Sequence, residues 1–334
     1  MVTLLNTPVV LPDCPLALNL TLFGRPAHLA TDCPRIAEIL GDVFASAEFA
    51  PTEGGPPAEF RCCTECPAPW VAAFADPGDV YLAQPCSQDP QYDLFRWTDA
   101  GPQLEGYFSY DDARLSPTRD TILERFAAHF QRRVFRWLLR DTPELRLVHA
   151  GSLSHEGRGV LILADSFGGK STLTLAAVMA GLGFLSDDFS PVDMAAGALL
   201  PFPRAIRLRR SACELTPAFL DLCQGTTVDT RGETRYYVRP DDIRPGAVGE
   251  RVPLTHIVTI GGFAAEPALA PVSLSAIAAN LVHADCFATG DLAPELMWGW
   301  AEVLQTVRCG RLVAGPPDQT AALLQEWLQA GGDA

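Results

Sequence analysis

Residues 160 to 180 contain the pattern that most limits how this chain can fold. Val160 to Leu163 is entirely apolar, which is typical of a strand buried on both faces of a sheet. The segment 164–171 then reads Ala-Asp-Ser-Phe-Gly-Gly-Lys-Ser, and 172–180 is an apolar stretch of helical character that Gly181-Leu182-Gly183 ends. A buried strand that leads through a tight loop into a helix predicts an α/β fold.

The glycine-rich segment matches a phosphate-binding loop (P-loop). In such loops successive backbone N–H groups and the N-terminus of the following helix surround phosphates. The Lys170 ammonium would reach the β- and γ-phosphates of a nucleotide, and the Ser171 hydroxyl would bind Mg²⁺. Ala164 stands where the pattern has its first glycine, and alanine fits less well there if φ must be positive. The expected nucleotide-binding residues of the loop are Ser166, Gly168, Gly169, Lys170, Ser171 and Thr172.

Lysine usage supports this interpretation. Lys170 is the only lysine among 25 basic residues, and the other 24 are arginines. A single lysine placed at random would fall at this position with a chance on the order of 1 in 330. A compact ammonium on a flexible stem is what arginine cannot imitate in a phosphate cradle. The pattern therefore indicates nucleotide binding, and the alternative is a glycine-rich turn that only connects strand and helix.

Two acidic residues follow the next predicted strand, Phe184 to Ser186. If this strand lies beside the P-loop strand, Asp187 and Asp188 project into the same crevice as the phosphates. One carboxylate could hold Mg²⁺, and the other could take a proton from an incoming hydroxyl. The alternative is an acidic turn that ends the strand. His149 lies near the end of the predicted strand at 145–150, where a histidine alone is more typical of a structural role.

Together these residues resemble the catalytic domain of the HPr kinase/phosphorylase family. The resemblance consists of His149, the Gly168-Gly169-Lys170-Ser171 loop and the pair Asp187-Asp188, with intervals of 21 residues from His149 to Lys170 and 17 from Lys170 to Asp187. The segments 201–206 and 253–257 are similar to HPr-kinase-related proteins found beside peptide-modification genes, including lasso-peptide kinases. The resemblance covers about residues 145 to 330.

Two departures from the family pattern separate this chain from true HPr kinases. Phe167 stands at a position that is usually small, and no downstream Arg/Gly signature is present, although 230–239 lies about where it would fall. Neither phosphorolysis nor HPr as substrate is therefore expected.

The resemblance implies a P-loop kinase domain of the HPr kinase/PEP carboxykinase-like type, with ATP and Mg²⁺ as cofactors. It assigns Asp187 as general base, His149 as a residue that orients or modulates it, and Asp188 with Ser171 as Mg²⁺ ligands. Lys170 and the amides of 168–172 would bind the ATP phosphates. Further phosphate or acceptor contacts are expected from Arg204, and surface ion pairs are the alternative; Arg207, Arg235 and Arg239 are candidates of the same kind.

The expected function is transfer of the γ-phosphoryl group of ATP to a hydroxyl, with serine of a peptide or small protein as acceptor. A small-molecule hydroxyl is the nearest alternative. Two others remain: a non-catalytic nucleotide-binding scaffold that holds a basic partner, and an NTPase whose acceptor is water. A carboxylate base favours a hydroxyl acceptor over water.

The length allows two domains, and the change of sequence pattern after Pro143 places their boundary near residue 145. The chain has 334 residues, of which 48% are hydrophobic and 19% charged, enough for two domains of about 150 residues each. We expect an α+β domain at 1–145, with substrate recognition as a candidate role, and the catalytic domain at 146–334. The predicted elements outside the P-loop region are strands at 16–22, 80–83 and 94–97, helices at 34–45 and 120–140, a loop at 51–69 and a polar turn at 152–158.

Charge and cysteine content argue against several kinds of binding partner and metal site. The net charge is −15, which argues against nucleic acid and anionic membranes as partners. No signal-peptide pattern or membrane-spanning run is present, so we expect a cytoplasmic protein whose ten cysteines are thiols. Cys62, Cys63 and Cys66 form a cluster without the second ligand pair that a zinc site needs, so incidental thiols are favoured and a metal or redox role is the alternative. The oligomeric state stays open, with a homo-oligomer among the alternatives.

Overall fold

The computed structural model describes most of the second half of the chain and parts of the first. The described residues are 15–22, 25–31, 33–43, 58–63, 80–82, 93–98, 103–108, 131, 134–135, 139, 142, 144–165, 167–228, 233–284 and 294–330. The chain divides into two compact units: unit 1 is 1–141 with 228–233, and unit 2 is 142–227 with 234–334. Both strands and helices occur, as expected for a mixed α/β protein. Across the described helices, none is long and apolar enough to cross a bilayer.

Unit 1 contains a six-stranded sheet and a helix. Its strand order is β1-β2-β3-β6-β5-β4, in which β2, β3 and β6 run parallel and the outer pairs run antiparallel. The elements are β1 (Leu16–Leu22), β2 (Arg25–Thr31), α1 (Pro34–Val43), β3 (Ala58–Cys63), β4 (Val80–Leu82), β5 (Asp93–Thr98) and β6 (Gln103–Phe108).

Helix α1 covers β1 and β2 because its apolar residues recur at helical spacing. Ile36, Ile39 and Leu40 are buried, and the helix contacts both strands at the start of a β-α-β crossover. The predicted strand and helix starts at residues 16 and 34 agree with the structure.

The loop prediction for 51–69 is wrong in part, because β3 lies inside it and pairs with β2 and β6. Most of the helix predicted at 120–140 lies outside the described residues. So do Cys66 and the side chains of Cys62 and Cys63. Among the residues that are described, no group of three metal-binding side chains occurs.

Unit 2 contains a nine-stranded sheet, a three-stranded sheet and several helices. In chain order, its elements are β7 (Leu145–Val148), β8 (Gly151–His155), β9 (Arg158–Leu163), α2 (Lys170–Met179), β10 (Gly183–Ser186), β11 (Ser190–Asp193), β12 (Ala198–Leu199), β13 (Ile206–Arg209), α3 (Arg210–Leu215), a 3₁₀ helix (Pro217–Leu222), β14 (Gly225–Val228), β15 (Thr234–Val238), α4 (Pro240–Ile243), β16 (Val252–Phe263), β17 (Ala268–Pro271), α5 (Leu274–Ala284), α6 (Pro294–Leu304), β18 (Arg308–Ala314) and α7 (Pro317–Gln329).

The long strand β16 organises the large sheet. Its first residues pair with β12, and its later residues lie between β9 and β18, parallel to both. The sheet order is β10-β8-β9-β16-β12-β11-β7, with β18 on β16 and β17 on β18. Because β9, β16 and β18 are parallel, their carboxyl ends meet at one edge of the sheet.

Both faces of these central strands are covered. On β9, Val160 and Ile162 pack in one apolar cluster with α2 and α7, whereas Leu161 and Leu163 pack in a second cluster with α5 and α6. This double burial explains why 160–163 is an uninterrupted apolar run, and the prediction from that run is confirmed.

The polar turn predicted at 152–158 is wrong, since 151–155 form strand β8 and only Glu156 and Gly157 turn. Ser152 and Ser154 of this strand are buried. The Ser190 hydroxyl donates to the Ala150 carbonyl at 2.8 Å and lies 2.9 Å from the Ser152 hydroxyl, which can donate to it. An interior partner thus compensates the burial of a polar side chain. That partner is distant in sequence, which is why local pattern missed the strand.

Candidate functional site

The loop between β9 and α2 has the backbone of a tight cradle. The Gly168 N–H donates to the Asp165 carbonyl at 2.9 Å. A Cβ on Gly168 would lie 2.7 Å from the Ala164 Cβ and 2.9 Å from the Asp165 carbonyl oxygen, so only glycine fits. Gly169, at the N-terminus of α2, has φ +86°, a conformation that glycine adopts without strain.

Ala164 is compatible with this loop despite the missing first glycine. Within the described part of the chain, positive φ occurs in this loop at Phe167 (+71°) and Gly169 and not at Ala164. Among the described residues of this loop, the left-handed conformation therefore falls on Phe167 and Gly169. Ser166, a predicted nucleotide-binding residue, lies outside the described residues.

Lys170 is the first residue of α2 and is folded back onto the loop. Its side chain is buried, and Nζ donates to the carbonyl oxygens of Ala164 at 2.6 Å and Asp165 at 3.3 Å. The Lys170 ammonium is thus held beside the N-terminus of α2, whose partial positive charge already favours anions. Ser171 and Thr172 follow in the first turn of α2 and are half-buried.

Asp187 is a buried carboxyl group directly after β10. Only 2% of the residue is exposed, and burial, together with the neighbouring Asp188, raises its pKa from 3.8 to about 7. The Ser171 hydroxyl, the Arg204 guanidinium and the Lys170 ammonium oppose this pKa shift. Among described residues, neither carboxylate oxygen has a hydrogen-bond partner of good geometry. Both oxygens are enclosed by the protein, and the polar groups that act on them are the Ser171 hydroxyl, the Arg204 guanidinium and the Lys170 ammonium.

A tight turn fixes Asp188 next to Asp187. Asp188 has φ +69°, and the Phe189 N–H donates to the Asp187 carbonyl at 2.9 Å. Nδ1 of His149 lies 3.0 Å from the Asp188 carbonyl oxygen; since a carbonyl only accepts, Nδ1 is the donor. His149, which follows β7 directly, therefore supports the backbone on the C-terminal side of Asp188.

Arg204, between β12 and β13, is the predicted arginine that reaches this site. It is buried, its guanidinium carbon lies 4.8 Å from the centre of the Phe189 ring, and its charge lowers the pKa of Asp187. Arg207 and Arg235 lie on the paired strands β13 and β15, where Arg235 is opposite Arg209, and Arg239 precedes α4.

One part of the predicted topology is wrong. β10 is not beside the P-loop strand β9, because β8 lies between them and is antiparallel to both. β9 and β10 consequently point the same way, and their carboxyl ends still reach one edge. Gly151, the first residue of β8, lies close to this edge. A Cβ on it would be 2.5 Å from Thr174 Oγ1 and 3.9 Å from Asp187 Oδ1, so a larger residue would collide with the Thr174 side chain.

Sequence reasoning missed three residues, two at the loop and one beside Asp187. Arg209 lies over the Phe167 ring, with its guanidinium carbon 3.4 Å from the ring centre. Phe263, at the end of β16, lies against Gly169. Gly151 is the third. The Gly261-Gly262 pair before Phe263 was an available signal, since glycine inside a strand marks a bulge or close backbone approach.

Comparison with known proteins gives only a weak structural similarity. No family model and no curated protein matches the chain. Among solved structures, it is similar to the Hpr(Ser) kinase/phosphatase from Coxiella burnetii, with a TM-score of 0.28 and 13% identity over 55% of this chain and 89% of that chain. A likeness of this size says nothing about activity.

Proposed function

We propose that this chain is an ATP- and Mg²⁺-dependent kinase that transfers the γ-phosphoryl group to a hydroxyl, with serine of a peptide or small protein as acceptor. The observation that carries the proposal is Asp187: a buried carboxyl group with a pKa near 7 and no hydrogen-bond partner of good geometry among described residues, at the same sheet edge as the glycine-rich loop.

Phosphate binding is the first task of the site. The amides at the start of α2 and the loop would donate to phosphate oxygens, and Lys170 Nζ would exchange the carbonyls of Ala164 and Asp165 for the β- and γ-phosphates. The exchange is favourable because a phosphate is charged and a carbonyl is neutral. The buried Arg204 adds a second cation that can neutralise the transferring group.

Proton removal is the second task. Asp187 would accept the proton of the acceptor hydroxyl, and a base whose pKa lies near the working pH serves best. His149 holds the Asp188 carbonyl and so acts as a positioning residue. Phosphoryl transfer needs alignment and charge neutralisation more than covalent help, and this set supplies both.

The oxygen donors present fit Mg²⁺. Ser171 and Asp188 would hold the ion, as expected for a metal that takes one or two protein ligands together with phosphate oxygens. The buried carboxylate oxygens of Asp187 are suited to a positively charged or proton-donating group. When bound, Mg²⁺ would neutralise charge on the phosphates.

The decisive experiment compares three variants with ATP, Mg²⁺ and serine-containing candidate peptides or small hydroxyl compounds, using mass spectrometry. Asp187→Asn should retain ATP binding and lose transfer by about 10²- to 10⁴-fold, because the base is removed. Lys170→Ala should lose ATP binding. Asp241→Asn, an exposed acid on α4, is the matched control and should behave as wild type.

Two results contradict the proposal. Full activity of Lys170→Ala would rule out phosphate binding by the glycine-rich loop, and unchanged transfer by Asp187→Asn would rule out Asp187 as the base. Wild-type ATP binding with no transfer to any hydroxyl would favour the nucleotide-binding scaffold, and release of phosphate to water alone would favour the NTPase.

A further inference from the structure

Two large aromatic side chains remain exposed at the glycine-rich loop. Phe167 is 55% exposed and Phe263 is 68% exposed, although phenylalanine is usually buried. Exposed apolar surface next to polar binding groups is typical of a ligand site rather than of bare surface. The two rings are therefore candidates for contact with the apolar face of a bound ligand.

Phe263 reaches the loop because of an irregular strand end. The pairing of β16 with β18 shifts register between Ile260 and Gly262, and Gly262 has φ +153°. Such bulges re-aim the side chains that follow them and are common beside active sites. Since β16 and β9 are parallel neighbours, the carboxyl end of β16 lies next to the loop that leaves β9.

The Phe263 ring lies against the glycine that begins α2. A Cβ placed on Gly169 would be 3.3 Å from Cε1 and 3.4 Å from Cζ of Phe263. The ring is thus within van der Waals reach of the loop backbone, while most of its surface stays open to solvent. The ring therefore borders the loop whose amides would hold the phosphates of a nucleotide.

Phe167 is a weaker candidate for the same contact. Its ring already has the Arg209 guanidinium over one face, 3.4 Å from the ring centre. That cation–π contact uses part of the ring and places a positive charge at the loop. Of the two rings, Phe263 is the better platform.

We propose that Phe263 forms the platform on which the base of the bound nucleoside triphosphate stacks, and that the site favours purines; this rests on the proposed function. A base that stacks on an aromatic ring is recognised by its π-face and not by its edge groups. The larger purine ring covers more of the platform than a pyrimidine does.

The test separates the base from the phosphates. Binding of ATP, UTP and inorganic tripolyphosphate to the full chain, each with Mg²⁺, is measured by calorimetry. Phe263→Ala should weaken ATP binding by about 5- to 100-fold, as expected for loss of one stacked base, and should leave tripolyphosphate affinity within about twofold. Wild type should bind ATP more tightly than UTP, and this preference should shrink in the variant.

Two further variants keep the result interpretable. Phe263→Leu retains apolar bulk without the flat ring, so it should behave as Phe263→Ala, whereas Phe263→Trp should restore ATP affinity. Trp298→Ala removes another exposed aromatic residue, 71% exposed on α6, and should change neither affinity.

The outcomes distinguish the two proposals. If wild type binds neither ATP nor tripolyphosphate, the proposed function fails and the base platform fails with it. If wild type binds both, the platform is overturned by equal loss of ATP and tripolyphosphate affinity in Phe263→Ala, by no loss of ATP affinity, or by equal wild-type affinity for ATP and UTP.

Discussion

Asp187 shows how opposing effects set the chemistry of one side chain. Burial and Asp188 raise its pKa, and Ser171, Arg204 and Lys170 lower it, with a value of about 7 as the balance. An ordinary surface aspartate would be charged at all physiological pH values. Asp187 instead changes its charge where a base for a hydroxyl is most effective.

The rate of transfer should therefore depend on pH. With saturating ATP and acceptor, we expect kcat to rise about tenfold per pH unit below pH 7 and to level above it, because only the deprotonated carboxylate accepts a proton. Steady-state kinetics between pH 5.5 and 8.5 measure this profile. The residual activity of Asp187→Asn should lack the inflection, and a flat wild-type profile would rule out Asp187 as the titrating base.

Sequence could predict these residues by type but not their surroundings. A glycine-rich segment with one lysine and an acidic pair after a strand are local patterns. The burial of Asp187 and the approach of Arg204 depend on strands β8 and β13, which are brought together only by the fold. The roles assigned to Lys170, Ser171, Asp188 and His149 stay predictions, since contacts alone do not test them.

At the level of elements, arginine serves as a cap for helix C-termini. Arg244 donates to the carbonyls of Val178 at 3.3 Å, Gly181 at 3.0 Å and Leu182 at 2.9 Å, at the end of α2. Arg158 similarly donates to the carbonyls of Leu328 and Gln329 at the end of α7. These contacts satisfy carbonyls that a helix end leaves without partners.

Loss of the Arg244 cap should destabilise the helix that begins at the glycine-rich loop. We expect Arg244→Ala to lower the free energy of unfolding by about 1 to 3 kcal/mol, because several partly buried carbonyls lose their donor. Urea unfolding measures the change. Arg251→Ala, which breaks an exposed ion pair with Asp193, is the matched control and should cost less than about 1 kcal/mol; equal costs would contradict the capping role.

Elements differ in how far sequence predicts them. The strand, loop and helix at 158–179 follow from contiguous apolar residues and glycines, and the structure agrees within two residues at each end. Strand β8 has no such pattern, because its serines are buried by partners far along the chain. Strand order is also not local, so the position of β8 between β9 and β10 could not be read from periodicity.

On the scale of the whole molecule, two buried groups give opposite pH dependence to stability. The pKa of His256 falls from 6.5 to about 4, chiefly through burial and also through Arg308 and Arg158. Its contribution to stability is present above pH 6.5 and is lost as pH falls towards 4. The pKa of Asp187 is raised, so its contribution is present below pH 4 and is lost as pH rises through 7.

A variant that lacks one of the two groups should show the pH dependence of stability that the other group causes. Between pH 4 and 7, stability of Asp187→Asn relative to wild type should increase with pH, by at most about 4 kcal/mol in total, and that of His256→Asn should decrease by at most about 3 kcal/mol. Urea unfolding at four pH values gives both differences. Asp241→Asn should stay parallel to wild type, and parallel curves for all variants would refute the opposing contributions.

Lys170 also has a practical consequence for chemical labelling. The chain carries one side-chain amine, and it lies buried among the carbonyls of the glycine-rich loop. Amine-selective reagents consequently have two targets, the α-amino group and this loop. Acylation of Nζ would be slowed whenever an anion covers it, so the labelling rate of a single peptide would report occupancy of the loop in the intact protein, without any substitution.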